Sequence, residues 1–242
     1  MTKFKPVSVT KLASLNMPDA CPRCFWIDVN IGKPYIVFPR VFNQLDKLQK
    51  RVGRILIDRL NEPDLTAYPE YQSWTVQVGD IVGYFPSVTW RKFSAEIGTN
   101  TGELTIRGEP DEMVRLADGD MAIIDYKTSQ SYASDTLGDR YIAQLNAYEA
   151  IAAANEYPTV SKMALVYWSP DTDMSDQVIV DNLMPQTIAL NMNAIVKDVP
   201  IKPGLVGALV NKAISILSNG KPPAAHAKCR NCAKLEKIVA AL

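Results

Sequence analysis

The pattern of apolar and polar positions predicts a series of amphipathic helices. The longest covers Val41–Leu60, where apolar residues recur at helical spacing along one face. The other predicted helices cover residues 8–17, Tyr141–Glu156, Gln186–Lys197 and Gly204–Ser218. The intervening segments 61–70 and 129–139 are rich in proline or polar residues, which predicts connecting loops.

Strands are predicted mainly in the middle of the chain. Residues 80–128 have the pattern of an antiparallel run, with a tight turn at Asn100-Thr101-Gly102 and an Asp-Gly hairpin turn within Leu116–Asp120. The nearly continuous apolar run Met163–Trp168 is typical of a buried central strand. Two shorter strands are predicted over residues 33–38 and 178–180.

This order of elements predicts an α/β (or α+β) fold with a mixed central sheet flanked by helices. We found no internal repeat and no low-complexity segment, so a single domain over residues 1–242 is the expectation.

Three charged residues lie at the ends of short apolar runs and carry candidate chemistry. Leu104-Thr105-Ile106 leads to Pro110-Asp111, and Met121–Ile124 leads to Asp125-Tyr126-Lys127. A hairpin turning at Asp118-Gly119 would bring Asp111 beside the second group, and Asp125 and Lys127 share one face of a strand because they are two residues apart. Two carboxylates can hold Mg²⁺ or Mn²⁺, and a neighbouring lysine can orient water or stabilise phosphate charge.

All four cysteines fall in two C-x-x-C pairs, Cys21/Cys24 and Cys229/Cys232. Four thiolates brought together from the two pairs would form a metal centre, and both zinc and an iron–sulfur cluster accept four cysteines. The paired spacing on its own favours zinc. Two separate redox motifs would lack the usual context, and inert buried cysteines are the remaining alternative. His226 lies three residues before Cys229 and could be a fifth ligand or a hydrogen-bond donor to a ligand, but a lone histidine in a loop is more often neither. Phe25 and Trp26 are expected to pack around the centre rather than stack on bases.

These motifs resemble the PD-(D/E)XK nuclease superfamily, through Pro110-Asp111 and Asp125-Tyr126-Lys127. Gln144 and Tyr148, four residues apart on one helix face, resemble the Q-x-x-x-Y element of the RecB/AddB-type branch. The cysteine pairs resemble those of branch members with an iron–sulfur cluster, such as CRISPR adaptation exonucleases. Those members usually carry one cysteine at the front and three at the back, whereas this chain has two and two.

The resemblance implies a restriction-endonuclease-like core and a Mg²⁺- or Mn²⁺-dependent deoxyribonuclease. It implies Asp111, Asp125 and the Tyr126 carbonyl as metal ligands, Lys127 as a catalytic group, and Gln144 and Tyr148 in support of the lysine or in contact with DNA. It favours a [4Fe–4S] cluster over structural Zn²⁺ on the four cysteines. The implied role is an exonuclease on single-stranded DNA in repair or recombination, phage replication or CRISPR adaptation, with protein partners in such complexes.

One departure from the family pattern keeps a second function open. Many members carry a histidine or glutamate on an early helix as an additional metal ligand, and this chain lacks it. The corresponding helix offers Asn43, Gln44 and Asp46 as candidate replacements. The alternative is therefore a non-catalytic DNA-binding protein on the same fold.

Composition sets the remaining bounds. The formal net charge of +0 excludes a strongly cationic nucleic-acid binder, yet Lys47, Lys50, Arg51, Arg54 and Arg59 fall in one predicted helix. This basic helix is either a solvated face or a surface that follows phosphates. No apolar run is long enough to span a bilayer and no signal peptide is evident, so a cytoplasmic protein is expected.

Overall fold

The computed structural model describes residues 4–33, 39–59, 78–89, 91–128, 135–171, 173–184, 187–188 and 192–241. Most of the predicted strand 33–38 and all of the predicted loop 61–70 lie outside these residues. The helices of the described part are α1 (Val9–Ala13), α2 (Pro22–Asn30), α3 (Arg40–Arg59), α4 (Asp135–Ala154), α5 (Asp176–Asp181), α6 (Leu205–Leu217) and α7 (Arg230–Ala240). None of these is both long enough and apolar enough to cross a membrane.

The strands form a mixed sheet and two smaller ones. They are β1 (Val7–Ser8), β2 (Ile81–Tyr84), β3 (Ser94–Thr99), β4 (Gly102–Arg107), β5 (Glu112–Leu116), β6 (Met121–Thr128), β7 (Val160–Pro170), β8 (Leu183–Met184), β9 (Thr187–Ile188) and β10 (Met192–Asp198). The five-stranded sheet has the order β10-β7-β6-β5-β2, with β6 and β7 parallel and the other pairs antiparallel. A three-stranded sheet has the order β1-β4-β3, and β8 pairs with β9. The predicted α/β class with a mixed sheet flanked by helices is confirmed.

Strand β6 lies between two helical layers because both of its faces are apolar along most of its length. Met121 and Ile123 pack into the larger core together with α1, α4 and α6. Ala122, Ile124 and Tyr126 face the smaller core, which α3 covers. Since side chains alternate along a strand, Asp125 and Lys127 follow Ile123 on the α4 side. The alternation thus aims the acidic and basic groups of β6 at α4, while Tyr126 points to α3.

Several predicted elements agree with the structure. Helix α3 matches the predicted Val41–Leu60 closely, α6 matches Gly204–Ser218, and β7 contains the apolar run Met163–Trp168. The turn at residues 100–102 joins β3 to β4 as predicted.

Other predictions about local structure were wrong. Residues 178–180, predicted as a strand, lie in α5, where the Ser175 hydroxyl caps the helix by accepting a hydrogen bond from the Val178 N–H. The predicted helix Gln186–Lys197 is replaced in its described part by β9 and β10, and β10 pairs along the edge strand β7, so tertiary pairing overrides helical propensity. The predicted loop 129–139 is too long, since α4 already begins at Asp135.

The hairpin was also assigned partly to the wrong strand. The partner of β6 is β5, which follows Asp111, whereas the expected Leu104–Ile106 lies in β4 of the other sheet. Helices α2 and α7 were not predicted; each begins one residue after the first cysteine of a C-x-x-C pair.

Gly53 permits the close packing of α3 on β6. A Cβ added at Gly53 would overlap the hydroxyl of buried Tyr126 and lie 2.6 Å from its Cζ atom. We expect Gly53→Ala to lower the free energy of unfolding by about 1–3 kcal/mol, because the added methyl group overlaps the buried Tyr126 ring and one of the two must shift. Urea denaturation would measure the change.

The matched control is Gly207→Ala in α6, where an added Cβ has no atom within 4 Å. That variant should be unchanged or gain up to ~1 kcal/mol, since alanine favours a helix over glycine. Equal stabilisation of both variants would contradict the tight packing of Tyr126 on α3.

Candidate active site

The hairpin of β5 and β6 places Asp111 beside Asp125. Its turn uses Gly119 at φ 93°, a conformation that favours glycine, and the Asp118 carboxylate accepts a hydrogen bond from the Asp120 N–H at 3.0 Å. Because Glu112 is paired with Ile124, Asp111 lies level with the residues that follow Ile124. The Asp111 Oδ2 atom accepts a hydrogen bond from the backbone N–H of Tyr126 at 2.8 Å. The expected convergence of Asp111 with the Asp125/Lys127 pair is therefore present in the structure.

Asp125 is the most deeply buried acid of this group, with 2% of its surface exposed. One carboxylate oxygen forms an ion pair with the Lys127 ammonium, and the other accepts a hydrogen bond from Gln144 Nε2 at 3.3 Å. Burial raises the pKa of Asp125 to about 6; the Lys127 charge opposes this shift and the Asp111 charge adds to it. The carboxylate is thus held in place at a cost in solvation, which a bound cation would offset.

Lys127 is held as an ammonium ion. Burial alone would lower its pKa, but the Asp125 carboxylate raises the pKa above the ordinary lysine value. Its Nζ atom lies 5.1 Å from the centre of the Tyr141 ring, which adds a cation–π contact. A lysine in this state supplies positive charge and hydrogen bonds and is poorly suited to accept a proton.

Gln144 and Tyr148 are both buried on α4, one turn apart. Gln144 Nε2 also donates to the Tyr148 hydroxyl at 3.1 Å, and that hydroxyl donates to the backbone carbonyl of Glu109 at 3.2 Å. The pair therefore links Asp125 to the segment that carries Asp111. The contact of Gln144 with Asp125 and the burial of both side chains favour a positioning role over direct contact with DNA.

Helix α3 contributes a second cation to the site. The Lys50 Nζ atom lies 2.9 Å from Asp111 Oδ1 and 3.1 Å from Asp46 Oδ2. The two carboxylates raise the pKa of Lys50, although burial opposes this effect. Asp46, one of the early-helix residues considered as a replacement for the family histidine, is thus connected to Asp111 through a single ammonium group.

An open cleft of about 390 Å³ extends from Asp111 along α3. Lys50, Arg51 and Arg54 line it on the helix side, and Glu109 to Glu112 line the opposite side. Part of the basic face of α3 therefore lies beside the acidic site, as a surface that follows phosphates would require.

Sequence reasoning missed the ion pair between Arg54 and Glu112. Arg54 Nε donates to a Glu112 oxygen at 2.8 Å, and Glu112 is 2% exposed. Burial raises the pKa of Glu112, while the guanidinium of Arg54 opposes the shift. The available signal was the Asp111-Glu112 acidic pair, but the arginine that compensates the buried charge lies 58 residues away in the chain.

The donor set around Asp111 and Asp125 fits a hard divalent cation. It offers two carboxylates, and Asp111 bonds to the backbone of Tyr126, whose carbonyl the family resemblance implies as a third ligand. Oxygen ligands of this kind suit Mg²⁺ and Mn²⁺. Both carboxylates also contact lysine ammonium groups, which balance the negative charges of Asp111 and Asp125.

The four cysteines, two from near each end of the sequence, form a second cluster. Their Sγ atoms all lie within 4.8 Å of one another, so the group could hold a metal ion or a metal cluster. The Sγ–Sγ distances are 3.4 Å for Cys24–Cys229, 3.6 Å for Cys24–Cys232 and 3.7 Å for Cys21–Cys232. The predicted meeting of the two C-x-x-C pairs is present.

The contacts of the residues around the cysteines agree only in part with the predictions. The backbone N–H of His226 donates to Cys21 Sγ at 3.3 Å, and the His226 Nδ1 atom accepts a hydrogen bond from the Lys228 N–H. Burial would raise the pKa of the Cys21 thiol, but the N–H groups of His226 and Cys24 lower it to about 7. Phe25 is buried in the core, and the Trp26 ring N–H donates to the Asn219 carbonyl at 2.9 Å.

The chain belongs to the PD-(D/E)XK nuclease superfamily, whose family model matches residues 25–235. Among solved structures, the crystal structure of SSO0001 matches with 18% sequence identity, covering 92% of this chain and 81% of that chain, with a TM-score of 0.40. No curated protein matches the chain.

Proposed function

We propose that this protein is a Mg²⁺- or Mn²⁺-dependent deoxyribonuclease, with Asp111, Asp125 and Lys127 at its catalytic centre. The observation that carries the proposal is the convergence of these three groups: Asp111 bonds to the backbone immediately after Asp125, and Asp125 is paired with Lys127. Superfamily membership makes nucleic acid the expected substrate. Gln144 and Tyr148 support assignment to the RecB/AddB-type branch.

Each residue has a defined role in this proposal. Asp111, Asp125 and the Tyr126 carbonyl would hold the divalent cation, which lowers the pKa of a bound water and neutralises phosphate charge. Lys127, kept protonated by Asp125, orients the attacking water and hydrogen-bonds to a phosphate oxygen. Gln144 fixes the Asp125 carboxylate, and Tyr148 fixes the backbone before Asp111.

The cleft along α3 supports a nucleic-acid strand as the substrate. Lys50, Arg51 and Arg54 would contact successive phosphates as the strand approaches Asp111. Phosphate contacts of this kind carry no sequence information, which agrees with a role as an exonuclease on single-stranded DNA. The biological setting of this activity would be DNA repair or recombination, phage replication or CRISPR adaptation.

The raised pKa of Asp125 gives cation binding a pH dependence. A cation needs the ionised carboxylate, so below the pKa of about 6 it must displace a proton. We expect the apparent dissociation constant for Mn²⁺ to be roughly tenfold higher at pH 5.0 than at pH 7.5, because one proton competes. Isothermal titration calorimetry at both pH values measures it; equal constants would indicate a carboxyl group with an ordinary, lower pKa.

The nuclease proposal is tested by incubating the protein with end-labelled linear single-stranded DNA and with the same sequence as a circle. Mn²⁺-dependent release of short products from the linear strand, with the circle intact, is expected for an exonuclease. Cleavage of the circle would show an endonuclease instead. Retained binding of DNA without any degradation, in Mn²⁺ and in Mg²⁺, would favour the non-catalytic DNA-binding alternative.

A further inference from the structure

We propose that Cys21, Cys24, Cys229 and Cys232 bind one tetrahedral zinc ion that joins α2 to α7, rather than the [4Fe–4S] cluster that the family resemblance favours. The inference does not depend on the nuclease proposal. It rests on the spacing of the four sulfur atoms, on the symmetry of the two cysteine pairs and on the contacts that hold the pairs together.

The sulfur spacing fits a single ion. A Zn–S bond of about 2.3 Å in tetrahedral geometry places the sulfur atoms about 3.8 Å apart. Three of the separations here are 3.4, 3.6 and 3.7 Å, and every pair is within 4.8 Å. In a four-iron cluster each thiolate binds a different iron atom at the corner of a cube, so the sulfur atoms span a much larger tetrahedron. Fitting that cluster would require the two cysteine pairs to move apart.

The two cysteine pairs are built alike. Cys21 is the residue before the first turn of α2, and Cys229 is the residue before the first turn of α7. In each pair the second cysteine lies within that first turn, so both sulfur atoms lie near the helix N-terminus, where partial positive charge favours thiolates. Two such pairs supply two ligands each to one ion, as in structural Cys₄ zinc sites.

Further contacts hold the two pairs in register without the metal. Arg23, between the two cysteines of the first pair, donates from Nε to the Pro223 carbonyl at 3.0 Å and forms an ion pair with Glu236 of α7 at 2.8 Å. The N–H of His226 donates to Cys21 Sγ, as peptide groups do to metal-bound thiolates. These contacts link α2 directly to α7 and agree with a compact site that holds one ion.

Metal analysis of the full-length protein tests the proposal. The protein is produced with both iron and zinc in the medium, purified anaerobically, and measured for zinc, iron and acid-labile sulfide. We expect one zinc per chain, no stoichiometric iron or sulfide, and no broad visible absorption. Zinc-edge X-ray absorption should show four sulfur ligands at about 2.3 Å. Iron and sulfide in near-equal amounts with a broad visible band, or a protein without bound metal, would overturn the proposal.

Two variants assign the zinc to the cysteines. Cys24→Ala should lose the stoichiometric zinc, whereas Asp125→Asn, which alters the acidic site, should retain it. Should Cys24→Ala fail to fold, the sulfur ligand count in the wild-type protein still decides the matter. Zinc with oxygen or nitrogen ligands, or zinc lost from Asp125→Asn and kept in Cys24→Ala, would overturn the proposal. A failed nuclease assay would change none of these measurements, so the two proposals can fail separately.

Discussion

Replacing Asp125 with asparagine is expected to lower the rate of Mn²⁺-dependent DNA degradation by roughly a thousandfold or more. The amide keeps the size of the side chain but removes the charge that holds the divalent cation, and such a cation supplies several kcal/mol of transition-state stabilisation. Single-turnover degradation of end-labelled single-stranded DNA measures the loss, and circular dichroism checks that the variant is folded.

The matched control for this variant is Glu96→Gln on β3, which neutralises an exposed acid in the other sheet. It should retain the wild-type rate within about twofold, because a charge change outside the site has little effect on the chemistry. Equal degradation by wild type and Asp125→Asn would remove Asp125 from the mechanism and leave the activity to another site.

Replacing both Cys229 and Cys232 with serine is expected to lower the free energy of unfolding by about 5 kcal/mol, the loop-closure entropy of a link of this length. A metal held by the four thiolates would join cysteines 205 residues apart, so its loss would act through the unfolded chain as well as the folded one. For a chain of this size the change corresponds to a fall in the unfolding midpoint of about 10–20 °C. Differential scanning calorimetry of the metal-loaded wild type and of the double serine variant measures it.

Lys228→Ala provides the control in the same loop, because it removes an exposed charge while leaving all four thiols. Its midpoint should lie within a few degrees of the wild type, as is usual for surface changes. A double serine variant that unfolds at the wild-type temperature would mean that the cysteine cluster does not stabilise the fold.

The candidate site could be predicted from sequence because it depends on local rules. Asp-Gly in Asp118-Gly119 marks the hairpin, and the period of two places Asp125 and Lys127 on one face. The cysteine pairs are equally visible, since four thiols with C-x-x-C spacing and no cysteine left over indicate one shared centre.

The features that were missed depend on how elements pack. Lys50 was visible as part of a basic helix, but its contact with Asp111 requires the orientation of α3 on β6, which Gly53 and Tyr126 set. Glu112 follows Asp111 in the chain, yet its buried pairing with Arg54 depends on the same packing.

The same limit explains the errors in secondary structure. β10 has too few buried positions to show the alternation of a strand, because it lies at the edge of the sheet beside β7. None of the apolar residues of α5 is buried, so the chain shows no apolar helix face there and the run of valine and isoleucine was predicted as a strand; Val180, for example, is 57% exposed. Edge position and exposure are properties of the assembled fold and leave little trace in the local pattern.

Anomalous diffraction from crystals of the protein soaked in Mn²⁺ tests the proposed cation site most directly. We expect a manganese peak bonded to carboxylate oxygens of both Asp111 and Asp125 and to the Tyr126 carbonyl, with the Lys127 ammonium beside it. A protein that degrades DNA with Mn²⁺ but binds the ion elsewhere, with these two carboxylates still paired to their lysines, would contradict the proposed site.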